Sequence, residues 1–125
     1  MTGLAALAAI LLAQAPIVAA SHQPADSDRV DVAHDELLAG LPGQAEARIE
    51  ANRELDTQDP ARLINLGAAY AAQGRAADAE AMFKGAILSE QRFELELADG
   101  SWIDSRQAAR IALADLKRSN RLANR

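Results

Sequence analysis

Between Leu63 and Ile87 the apolar residues fall into two stripes with the spacing of helices. Leu63, Leu66, Gly67 and Tyr70 stand at i, i+3, i+4 and i+7, one face of a helix. Ala79, Met82, Phe83, Ala86 and Ile87 form the second stripe. Between them Ala72-Gln73-Gly74-Arg75 reads as a turn, with Gly74 ending the first helix. Asp59-Pro60 supplies that helix with an acidic cap and a proline in its first turn. Two antiparallel helices joined by a short loop follow. A glycine inside a helix costs roughly 1 kcal/mol relative to alanine, so Gly67 is expected to have a packing reason. With Ala79 it would let the two backbones approach, while Tyr70 and Phe83 fill the space beside them.

Weaker patterns flank this pair. Residues 33–38 predict a short helix ended by Gly40-Leu41-Pro42-Gly43, and residues 44–55 predict a longer one. Downstream, Phe93-Glu94-Leu95-Glu96-Leu97 alternates with the period of a strand. Asp99-Gly100 is a turn signal, and Trp102-Ile103 follows it. Two arrangements stay open here. One is a small β-hairpin, which must pack on the helices because an isolated hairpin is marginal in water. The other is an extended loop with Phe93, Leu95 and Trp102 tucked into the core. Asp104-Ser105 then caps a last helix over 105–120, whose stripe is Ala109, Ala112, Leu113 and Leu116. That helix is expected to cover the open face of the central pair.

The central pair resembles the tetratricopeptide repeat, whose pattern is W-x2-L-G-x2-Y…A-x3-F. Leu63 stands where the pattern has Trp; Leu66, Gly67, Tyr70, Ala79 and Phe83 match, and Gly74 and Ala86 accompany them. Gly40, Ala45, Ile49 and Asn52 lie one repeat length (about 34 residues) before Gly74, Ala79, Phe83 and Ala86, similar to a degraded capping repeat. The match is specific over 60–90, suggestive over 40–55, and silent after Phe93. It implies an all-α fold over residues 32–125: a short array of helical hairpins, best formed at 60–93, with a capping C-terminal helix. It also implies a small exported bacterial scaffold that binds a protein partner and is not an enzyme.

Carried onto this chain, the concave face of the family would be lined by Ala61, Ile64, Asn65, Ala68, Ala71 and Ala72. These small, mostly apolar positions suit an apolar peptide or helix laid in a groove. Some family members hold peptide C-termini through Lys and Asn; Asn65 fits one such place, but no Lys accompanies it. The same residues could instead receive the chain's own last helix. The chain would then be a structural or assembly subunit, or a homo-oligomer, with no groove free. Stacks of this kind need about three repeats to bury a continuous core, so the last helix or a second copy must supply the missing cover.

Composition adds a targeting expectation. Residues 4–13 are an uninterrupted apolar run, and the small residues around Ala20 suit cleavage by signal peptidase. The run is short for a membrane span and Pro16 interrupts it, and no Lys or Arg precedes it. Residues 1–20 are therefore expected to be a secretory signal that delivers the chain to the periplasm. The alternative is an uncleaved anchor over 4–20 in the inner membrane, the only membrane contact expected. Residues 21–31 are polar, with Pro24 and several Asp, and read as a disordered linker. The chain contains no Cys, so disulfides play no part.

Charge is uneven. Residues 26–59 hold ten acidic and three basic side chains, while 102–125 hold two acidic and six basic. The basic tail is expected to favour the dipole of its own helix and to pair with the acidic N-terminal helices. Without interleaved aromatics, and with a net charge of −5, it does not read as a nucleic-acid site. His34 beside Asp31, Asp35 and Glu36 reads as a solvated acidic helix, not a metal site. No phosphate loop, zinc spacing or nucleophile elbow is found, and no cofactor is expected.

Overall fold

The computed structural model describes residues 33–97 and 99–124, and the segments read as a signal (1–20) and a linker (21–31) lie outside them. The chain is mostly helical with one small antiparallel hairpin. Its elements run α1 (His34–Leu38), α2 (Pro42–Ala51), α3 (Pro60–Ala72), α4 (Ala76–Leu88), β1 (Glu94–Glu96), β2 (Trp102–Asp104) and α5 (Ser105–Ala123).

Local chemistry sets most of the boundaries. Pro42 and Pro60 each occupy the first turn of a helix, where no backbone N–H is needed. Asp59 caps α3 by accepting a 3.1 Å bond from the Arg62 N–H. Asp104 caps α5 by accepting from the N–H groups of Arg106 and Gln107. Gly74 takes φ +77° in the α3–α4 turn, a conformation costly for any residue with a Cβ. α2 differs from expectation at both ends, starting at Pro42 and stopping at Ala51. It stops because the Asn52 side chain accepts from the Glu54 N–H, a local turn that competes with the helix.

The core forms where α3 and α4 meet. Phe83 of α4 is fully buried and lies over Gly67 of α3; a Cβ placed on Gly67 would sit 2.5 Å from Phe83 Cε1. The reciprocal contact pairs Leu63 of α3 with Gly85 of α4, where an added Cβ would stand 3.5 Å from Leu63 Cδ1. α2 packs against the other side of α3, and α1 lies against both. α5 runs back along α4, with Arg106 donating to the Ser89 carbonyl at 3.0 Å near its start. It touches α3 as well as α4, burying Ala108, Ala109, Ala112 and Leu116.

The hairpin resolves the open choice at 93–103. Leu95 pairs with Ile103 and is fully buried, while Glu94 pairs with Asp104 and Glu96 with Trp102. Ser105 donates its N–H to the Phe93 carbonyl at 2.8 Å, tying the base of the hairpin to α5. Phe93 and Trp102 remain substantially exposed, so only Leu95 of the three apolar candidates enters the core. Alternation explains Trp102, which pairs with Glu96 on the face opposite Leu95, whereas Phe93 stands just before β1.

The two glycines of the α3–α4 contact respond oppositely to alanine. Gly67→Ala drives a methyl into the Phe83 ring and is expected to lose about 1–3 kcal/mol. Gly85→Ala meets Leu63 at ordinary contact distance and is expected to gain up to about 1 kcal/mol of helix propensity. Urea denaturation of the two variants reads both signs, and equal effects would overturn this account of the packing.

Burial pushes the Asp59 carboxyl above its ordinary range, partly opposed by the N–H groups of Arg62 and Ala61. A folded-state pKa above the unfolded value favours the fold at low pH. That contribution is present below the unfolded pKa and is lost as pH rises through the folded one. Asp59→Asn keeps an accepting oxygen but removes the titration. The stability of wild type relative to Asp59→Asn is therefore expected to rise on acidification from neutral pH. A pH-independent difference would contradict the shift.

Candidate partner-binding site

The residues proposed to line a groove all lie on α3, whose start is set by Pro60 and the Asp59 cap. Ala61, Ile64, Asn65 and Ala68 are completely inaccessible to solvent, and Ala71 and Ala72 are half-buried. α3 is packed by α1, α2, α4 and α5. Asn65, the one polar member, is enclosed with its apolar neighbours and cannot reach a ligand without the helices parting. The face singled out from the sequence is therefore brought together, but as interior.

The motif residues occupy the same interior. Leu63, Leu66, Tyr70, Ala79, Phe83 and Ala86 are buried, Gly67 makes the close contact with Phe83, and Gly74 forms the turn.

The densest polar cluster lies where α2 meets the α3–α4 turn. Tyr70 donates its hydroxyl to Glu50 at 3.1 Å, and burial together with that carboxylate raises its pKa above the ordinary phenol value. The Arg75 guanidinium sits 4.2 Å above the Tyr70 ring, an arrangement that attracts a cation. Arg75 also bonds Glu46 at 2.6 Å and Asp78 at 3.0 Å. Gln73 adds a 3.1 Å bond to Glu46. Arg75 and Tyr70 thus tie the Glu46 and Glu50 carboxylates of α2 to the α3–α4 turn, and the cluster fastens α2.

Among the described residues the basic tail does not pair with the acidic N-terminal helices as expected. Arg118 pairs with Asp115 one turn back in α5 at 2.9 Å, and Lys117 lies close enough to help hold Glu80 below its ordinary range, after Lys84. The acidic helices instead use their own partners: Arg48 bonds Glu36, and Arg75 bonds Glu46. The Arg118–Asp115 pair is local to one helix turn, whereas the acidic helices take partners that the packing of α1, α2 and the α3–α4 turn brings to them.

Accessible apolar side chains lie elsewhere. Trp102 is 48% exposed on the outer face of the hairpin, Ile111 44% and Leu122 62% on the outer face of α5. Gln107, Ile111, Ala114, Arg118 and Leu122 make one exposed stripe along α5. Its spacing could have been read from the sequence as the complement of the buried Ala109, Ala112 and Leu116. Among the described residues no group of three His, Asp or Glu is placed to hold a metal, and no helix is long and apolar enough to cross a membrane. Compared with known proteins, the chain matches no family model, no curated protein and no solved structure.

Because the α3 face is interior, charge placed there acts on stability. Ile64→Glu with Ala68→Glu is expected to abolish the cooperative fold by circular dichroism. Ile64→Ala alone should cost about 2–5 kcal/mol, whereas Ala77→Glu on exposed α4 surface should stay within about 0.5 kcal/mol of wild type. A folded, stable double-glutamate variant would show that this face opens readily.

Proposed function

We propose that the chain is a non-catalytic, tetratricopeptide-like assembly module of the bacterial cell envelope that meets protein partners through its outer surfaces. The observation that carries this reading is the complete burial of Ala61, Ile64, Asn65 and Ala68 in the single chain. A peptide-binding groove would need those side chains within reach of a ligand, and displacing α5 or α1 to reach them would expose a core built largely of alanine and leucine. The interior is thin, and roughly 25 cal/mol is lost per Å² of apolar surface returned to water, so opening it for a peptide is costly. An assembly role makes no such demand.

The placement in the envelope rests on the apolar run of 4–13 and the small residues near Ala20. The resemblance over 60–90 supports a scaffold role, and the bonds that Tyr70 and Arg75 make to Glu50 and Glu46 of α2 serve that scaffold.

Photo-crosslinking in the native cell separates the outer surfaces from the inner face. A benzophenone side chain at Leu122 or Arg110 is expected to capture protein, whereas one at Ala71, a half-buried position beside the inner face, should not. Capture at Ala71 with none on α5 would restore the groove and overturn this reading.

A further inference from the structure

We infer that the outer edge of β1 takes an extended segment of a partner protein as a third strand, and that this segment carries Lys or Arg at alternate positions; this rests on the assembly reading above.

The ladder of the hairpin determines which backbone groups are left over. Ser105 donates its N–H to the Phe93 carbonyl, and Leu97 donates to the Ser101 carbonyl. Leu95 stands opposite Ile103. Bonded and unbonded pairs alternate along an antiparallel ladder, so the bonded pairs are 93 with 105, 95 with 103 and 97 with 101. The N–H and C=O groups of Glu94 and Glu96 therefore point away from β2. Among the described residues no hydrogen bond reaches these four groups. β2 differs, because α5 packs on it. An open edge is a template for another strand. Strand addition supplies main-chain bonds, and alternate side chains select the partner.

Charge selects this partner. Glu94 and Glu96 occupy both pairing positions of the edge, and their side chains share the outer face of the hairpin with Trp102 and Asp104. The cations of the surrounding elements do not cancel them. Arg92 bonds Asp104, Arg106 bonds the Ser89 carbonyl, Lys84 of α4 bonds Glu80, and Arg110 belongs to α5, which packs on β2. Residues 90–110 hold five acidic and three basic side chains in all. The loop that Ser89 ties through Gln58 and the start of α3 add Glu54, Asp56 and Asp59 against Arg53 and Arg62, so the count stays acidic. A Lys or Arg opposite each edge carboxylate forms a cross-strand pair of opposite charge. Trp102, 48% exposed directly across from Glu96, offers its ring to the stem and charge of such a side chain.

The same carboxylates disfavour other occupants. A second copy added edge to edge about Leu95 sets glutamate opposite glutamate, and like charges directly opposite are destabilising. The basic residues of the chain's own tail are held in α5. Residues 26–31 bring Asp26, Asp28 and Asp31 against Arg29, which is the wrong sign for this edge.

The probe is the synthetic peptide Thr-Arg-Val-Arg-Val-Thr, added to the full chain in nonionic detergent at low salt. It is expected to slow amide exchange at Glu94 and Glu96, read by NMR. The same peptide N-methylated at both Arg amides keeps its charge, loses the edge bonds and should not. Glu94→Lys with Glu96→Lys should weaken binding about tenfold, with the helical signal unchanged. Glu94→Pro removes one edge N–H without touching the ladder and should also prevent the slowing at Glu96. Equal binding of the N-methylated peptide would show simple charge attraction and overturn strand addition. Equal binding of Thr-Glu-Val-Glu-Val-Thr would overturn the basic partner. Slow exchange at both amides without peptide, in a chain of dimer mass, would overturn it in favour of a second copy. No peptide binding, with protein still captured by benzophenone at Leu122, would overturn the edge and leave the assembly reading standing.

Discussion

The contact of Phe83 with Gly67 is the constraint on which the other packing depends. It lets α3 and α4 approach until an aromatic ring occupies the place of a missing Cβ, 2.5 Å from where that atom would be. The return contact of Leu63 on Gly85 makes the interface reciprocal: each helix gives one large side chain and one gap. Interiors pack like crystals, so a matched pair of this kind fixes both the separation and the sliding position of the two helices. Once these are fixed, Tyr70 and Arg75 stand where α2 can bind them through Glu50 and Glu46. Ser89, at the end of α4, stands where it ties the loop before α3 through the Gln58 carbonyl at 2.6 Å and receives Arg106 of α5. The outer helices are thus hung on an inner pair whose geometry they do not determine.

What could be read from the sequence follows from this hierarchy. The inner pair was legible because its determinants are local: the Asp59 cap, Pro60, the Gly74 turn and two stripes at helical spacing. The start of α5 was legible for the same reason, through Asp104. Gly85 was missed because nothing in its neighbourhood separates a glycine that receives Leu63 from one that merely weakens a helix. The 93–103 segment stayed undecided because alternation gives the faces of a strand and not its neighbour. The outcome depended on Leu95 finding the core and on Ser105 bonding Phe93.

The candidate site shows the same limit more sharply. Ala61, Ile64 and Ala68 share one face of α3, as their spacing requires. Small apolar side chains, however, suit equally a groove that waits for a peptide and an interior already filled. Propensity and periodicity carry no information on which it is, since both describe a single helix. The decision is made by α1, α2 and α5, which close on α3 from several sides. Asn65 is instructive here: a polar residue among apolar ones invites a ligand role, yet it too is enclosed.

Covering one face of a helical stack necessarily creates another. Here α5 covers the α3–α4 pair with Ala108, Ala109, Ala112 and Leu116. Its opposite side then becomes the end of the stack. Terminal elements of such arrays need a polar outer face to remain soluble, and most of this face meets that need with Arg110, Lys117, Arg118 and Arg121. Ile111 and Leu122 do not contribute to that solubility, and neither is used by the core. They remain in water, whereas the interior of α3, where the resemblance placed function, is fully committed to folding. The balance of burial therefore moves any recognition by this domain from the helix that most resembles a repeat to the outer elements, which resemble one least.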